Sequence, residues 1–151
     1  MDKAVIVTKL IKWAGCGEKG YFVTLNAKSF DKIKFEQDLS KIAHKLNDYC
    51  YGRSYKRNDK RLKIIAGIEV GQLNEMLHAH LFIQHDDQMT RKFAEVNAHL
   101  RSQWYGIIGL NNSRGNMVDV APLGNAASRL SYIVKDTAYL NRNDFFNLIW
   151  L

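Results

Sequence analysis

The sequence predicts an α+β fold: one domain over residues 1–151 with a central antiparallel β-sheet and helices packed on one face. Three observations predict it. Short runs of aromatic and β-branched residues alternate with stretches whose apolar residues recur every three to four positions. The two best strand candidates, 62–70 and 77–84, are separated only by GQLNEM, a connection that suits a hairpin. The 151 residues are 46% apolar and 25% charged, an ordinary globular composition without repeat, linker or low-complexity stretch.

Residues 4–12 are apolar and β-branched and read as a first strand, followed by the turn-rich AGCGEKG. GYFVTLNA, 20–27, is a second strand. Phe35, Leu39, Ile42, Ala43, Leu46 and Tyr49 make a helical stripe, so 31–50 is a helix. The hairpin 62–70 and 77–84 comes next. Thr90 is the expected cap of a helix that carries Phe93, Val96, Leu100 and Trp104 on one side. Residues 107–116 read as loop, and 117–121 as a short strand ending at Pro122. A last helix over 125–140 packs through Ala126, Leu130, Ile133, Val134 and Thr137. The predicted order is β-β-α-β-β-α-β-α.

The net charge is +7 and the isoelectric point about 9.4, which favours a polyanionic partner, nucleic acid first. Much of the charge lies in RSYKRNDKRLK, 53–63, where Arg53, Lys56, Arg57, Lys60, Arg61 and Lys63 surround Tyr55. The segment is either a solvated loop or an arm that grips phosphates and stacks one base. No apolar run is long enough to cross a bilayer, and no secretory leader pattern is read, so no membrane partner is expected. The two cysteines, Cys16 and Cys50, form no CxxC pair and suit a reduced cytosol, with a disulfide between them left open.

MLHAHLFIQ, residues 76–84, poses the functional question. Side chains alternate faces along a strand. Leu77, Ala79, Leu81 and Ile83 make one apolar face, and His78 and His80 point the other way. In 62–70 the even residues are the apolar set. A hairpin must bring the apolar faces together, because a slip of one residue would part them. Glu69 then shares a face with both histidines, opposite one of them in a plausible register. Two imidazoles and a carboxylate are a ligand set for Mn²⁺, Zn²⁺ or Mg²⁺. Gly67, on the same face, leaves room for another backbone to approach. In SYIVKD, Tyr132 and Lys135 are three apart on the last helix and lie off its packing stripe. Such a pair is either ordinary helix surface or a tyrosine nucleophile with an ammonium that favours the phenolate.

In this order the motifs resemble the HUH endonucleases, above all the rolling-circle replication initiators (Rep proteins) of plasmids, phages and small viruses. FVTLN, Phe22 to Asn26, is similar to the family's F-T-L-N strand. HAH is its His-hydrophobe-His motif, with Ala79 smaller than usual, and Glu69 occupies the place of its acidic ligand. Tyr132-x-x-Lys135 is its Y-x-x-K. Tyr139 is a second tyrosine seven residues on, wider than the spacing of two-tyrosine initiators. No Walker A pattern occurs. The resemblance implies an RRM-like, Rep nuclease-like sheet and metal-dependent nicking and joining of single-stranded DNA. It implies Glu69, His78 and His80 as ligands of Mn²⁺ or Mg²⁺. It also implies Tyr132 as nucleophile, Lys135 as its helper, and a 5′-phosphotyrosine intermediate. The expected partners are single-stranded or hairpin origin DNA, with host replication proteins behind it, in the cytoplasm of a bacterial, archaeal or virus-infected cell. Arg53, Tyr55, Lys56, Arg57, Lys60 and Arg61 would contact the DNA, and Thr24 and Asn26 either reach the site or hold the strand end. Besides a plain metal-binding regulator, two rivals stand beside this reading. One is a dimeric single-domain HUH transposase of the same chemistry. The other is a passive single-stranded nucleic-acid-binding module whose Phe22 and Phe82 stack bases on an open sheet.

Overall fold

The computed structural model describes residues 3–15, 17–70, 76–110, 116–137 and 148–151. Along the chain run α1 (Lys3–Ala14), β1 (Gly20–Asn26), α2 (Lys32–Tyr51), α3 (Arg53–Asn58) and β2 (Lys63–Val70). β3 (Leu77–Gln84), α4 (Phe93–Ile108), β4 (Val118–Pro122), α5 (Ala126–Thr137) and β5 (Leu148–Trp150) follow. The strands pair antiparallel throughout, in the order β4-β1-β3-β2-β5. β3, the most buried strand, lies at the centre.

Strand alternation sorts the core into two. Leu25, Ile64, Ala66, Ala79 and Leu81 face α2 and α4, where Phe35, Leu39, Val96, Leu100 and Trp104 close over them. Phe22, Ile65 and Phe82 point the other way and are covered by Leu10 and Ala14 of α1 and by Leu130, Ile133 and Val134 of α5. Helices thus cover both faces of the sheet, and the expectation of helices on one face is corrected. The cause is residues 4–12, expected as a strand, which are helical. Their β-branched residues suggest a strand, yet Ile6, Val7, Leu10, Ile11 and Ala14 also recur at helical spacing. Packing of that stripe on the second sheet face and on α5 overrides local propensity.

The ends of α2 follow capping chemistry: Asp31 Oδ1 accepts from the Lys34 amide at 3.1 Å, and Gly52, at φ 52°, turns the chain into α3. Part of the predicted basic loop is therefore the short helix α3. The cap of α4 is Lys92 rather than Thr90, and the Lys92 amide donates back to Glu95 at 3.3 Å. Phe93, expected on the packing side, is exposed. Asn125 caps α5 through the Ser128 amide at 2.9 Å. The predicted end of that helix, with Tyr139, lies outside the described residues, as do the hairpin residues 71–75, residues 111–115 of the predicted loop before β4, and Cys16, while 107–108 of that loop are the end of α4. β5 was not foreseen. Among the described residues no helix is long and apolar enough to cross a membrane.

β1 runs so close to β3 at Gly20 that a Cβ there would sit 1.9 Å from the Ile83 carbonyl oxygen. We expect Gly20→Ala to lose about 1–3 kcal/mol of stability, read by urea denaturation. An unchanged midpoint would mean that the two strands part easily at this end.

Candidate metal centre

The register of β2 on β3 places Glu69 directly opposite His78 and Gly67 opposite His80. The parity expected from sequence holds, and Glu69, His78 and His80 share the face of Phe22, Ile65 and Phe82. Glu69 Oε1 is hydrogen-bonded by Nε2 of His78 and, at 3.0 Å, by Nε2 of His80. One ligand atom from each residue lies within 4.8 Å of the others. The side chains keep 11–20% exposure, open enough for a ligand to reach them. Burial works to raise the Glu69 carboxyl. Hydrogen bonds from His78 and His80, and their charge, outweigh it and hold the group at about 2. The carboxylate is thus ionised, as a cation ligand must be.

β1 supplies the support. Thr24 pairs with His80 across the sheet, and its hydroxyl lies 3.0 Å from His80 Nδ1. While Nε2–H donates to Glu69, a neutral His80 needs a donor at Nδ1, which the hydroxyl provides. When Nε2 gives its lone pair to a cation, Nδ1 carries the proton and the same hydroxyl accepts it. Two imidazole nitrogens and an ionised oxygen, converging with a fixed ring orientation, fit a divalent cation. The three residues form a candidate metal-coordinating cluster. Asn26, opposite His78, ties the strand end instead, its Nδ2 donating to the Asn116 carbonyl at 3.2 Å.

α5 crosses above this cluster. The ring of Tyr132, which is 46% exposed, meets His80 edge-on at a centroid distance of 5.3 Å, and Phe22 at 5.8 Å. Lys135 follows on the same helix, with its side chain outside the described residues. Two neighbours were missed from sequence. Arg129, one turn before Tyr132, holds its guanidinium 4.5 Å over Phe22 and is anchored by the Leu123 carbonyl at 3.2 Å. The spacing R-x-x-Y on a helix was the available signal. Asp119, opposite Thr24 on β4, adds an exposed carboxylate to this face.

The basic segment is not brought to the cluster. Lys63 and Glu69 are six residues apart on β2, roughly 20 Å at about 3.3 Å per residue, and 53–62 lie beyond that far end. There Tyr55 is hydrogen-bonded to His44 at 2.8 Å, Lys56 pairs with Asp48 at 3.2 Å, Lys60 with Asp86, and Arg61 with Asp59 at 2.6 Å. Arg53 and Arg57 are exposed. The idea of bases stacking on Phe22 and Phe82 is corrected: both rings are buried under α1 and α5.

Protein-family models give no match to the chain, and neither the curated proteins nor the solved structures contain one.

Proposed function

We propose that the chain is a metal-dependent DNA strand-nicking and strand-joining enzyme of the HUH type, acting as a rolling-circle initiator on single-stranded or hairpin origin DNA. The observation that carries this reading is the convergence of Glu69, His78 and His80 beneath a tyrosine ring 5.3 Å from His80. Mn²⁺ or Mg²⁺ held by these three would supply charge neutralisation and orientation for the scissile phosphate.

The remaining steps fall to the chain's own residues. Tyr132 Oη, its proton passed to solvent, attacks phosphorus. The P–O3′ bond breaks and the leaving 3′-oxygen takes up a proton. The products are a 5′-phosphotyrosine link and a free 3′-hydroxyl. One P–O ester is exchanged for another, so a later 3′-hydroxyl reverses the step and rejoins a strand, which hydrolysis would forbid. An ordinary tyrosine has a pKa of about 10, so the phenolate needs positive charge nearby. Lys135, three residues on, and Arg129, three residues back, are the cations on α5 that suit the role. The scissile phosphate must reach the cluster beneath α5, which favours an unpaired strand over a duplex.

The test is a labelled pool of randomised hairpin-bearing single strands, incubated with the protein with and without Mn²⁺ and run on a denaturing gel. A shifted covalent adduct that disappears in EDTA is expected. Binding without any adduct would sink the proposal in favour of a passive module. Thr24→Val should weaken Mn²⁺ binding by about 10–100-fold, the usual cost of losing a group that orients a ligand. Isothermal titration checks it, and an unchanged affinity would remove Thr24 from the site.

A further inference from the structure

We propose a second ligand site at the opposite end of the sheet: a cleft that holds one unpaired nucleobase of a single strand. The cleft has a volume of about 600 Å³, the size of a small-molecule site. Trp13, Tyr51 and Trp150 supply its rings, and Lys60, Arg61 and Lys63 its cations. Trp150 pairs with Ile65 across β5 and β2, so it lies on the same sheet face as Glu69. Trp13 meets it edge-on at 4.6 Å, which steadies the Trp150 ring while 57% of that residue stays exposed.

An exposed indole beside cations is a stacking platform for an unpaired base. Lys63 Nζ sits 5.6 Å over the Trp13 ring and donates to the Trp13 carbonyl at 2.8 Å, so the end of α1 holds the ammonium in place. Charge sets the size of the ligand. Among the described lining side chains Lys60 and Arg61 pair with Asp86 and Asp59, which leaves Lys63 as the one cation without a carboxylate partner. That balance suits a base with a single phosphodiester and opposes a di- or triphosphate. The basic segment thereby gains a role, with Tyr51 and the two tryptophans in place of Tyr55 as the stacking rings. Identifying the occupant with the strand cut at the Glu69 cluster rests on the function proposed above. The affinity for an unpaired base does not.

The test uses the whole chain in EDTA, titrated with fluorescein-labelled oligo-dT and, separately, with dTMP. Trp104 is fully buried, so quenching of tryptophan emission reports on Trp13 and Trp150. Saturable quenching by oligo-dT is expected. Anisotropy should show affinity falling about tenfold, the scale of one lost stacked base, in Trp150→Ala and in Arg61→Glu, and no fall in Ile33→Ala, exposed on α2 away from both sites. Absence of quenching, or equal affinity in Trp150→Ala and Arg61→Glu, overturns the cleft. Equal binding of dTMP and oligo-dT overturns the strand as occupant. If quenching depends on Trp150 but no covalent adduct ever forms, the nuclease reading fails and the cleft stands. An adduct without such quenching removes the cleft alone.

Discussion

Tyr132→Phe is expected to abolish the covalent protein–DNA adduct, by at least about 10³-fold, the scale on which removal of a nucleophile acts. Phenylalanine keeps the ring that meets His80 and Phe22 edge-on, and position 132 is half exposed. The melting temperature and the Mn²⁺ affinity should therefore stay at their wild-type values. The contrast makes the result specific, because Glu69→Gln should lose the adduct and the metal together. An adduct that persists in Tyr132→Phe would move the nucleophile elsewhere on the chain, with Tyr139 the next position to replace.

Trp104→Ala is expected to have the largest effect on stability. Its side chain is fully buried between sheet and helices, edge-on to Phe35 at 6.0 Å, and its indole N–H donates to the Asn26 carbonyl at 3.0 Å. Removing it leaves a cavity and an acceptor without its donor. The cost is about 3–5 kcal/mol against a total stability typical of domains of about 5–15 kcal/mol. For a chain of this length that is a fall of roughly 6–20 °C in melting temperature, checked by calorimetry or circular dichroism. A fall of a degree or two would mean that α4 is not a principal clamp on the sheet. The carbonyl it bonds ends the strand that carries Thr24, so Mn²⁺ affinity should weaken in the same variant.

Much of the candidate site was legible in the chain because strand geometry is periodic. Leu77, Ala79, Leu81 and Ile83 had to share a buried face with Ile64, Ala66 and Ile68, and that requirement alone carries Glu69 to the side of His78 and His80. The stripes of α2, α4 and α5 were readable for the same reason, with a period of 3.6 in place of 2. The orienting bond from Thr24 to His80 was not readable, and R-x-x-Y put Arg129 beside Tyr132 without showing that its guanidinium would lie over Phe22. These contacts depend on how α5 lies over the sheet and on which strand flanks β3, and neither is written in local spacing.

By itself the sequence determined the parity of the hairpin, the shared face of two imidazoles and a carboxylate, the main helices and the basic balance, since each follows from side-chain periodicity or from counting charge; the register that sets Glu69 opposite His78 came from the structure. Only the tertiary structure decided that residues 4–12 are a helix, that a second core covers the side of the sheet that carries Glu69, His78 and His80, and that β5 returns to set Trp150 beside Trp13. Those outcomes turn on which apolar surfaces find each other over long stretches of chain, an energy of packing between segments that no local pattern contains.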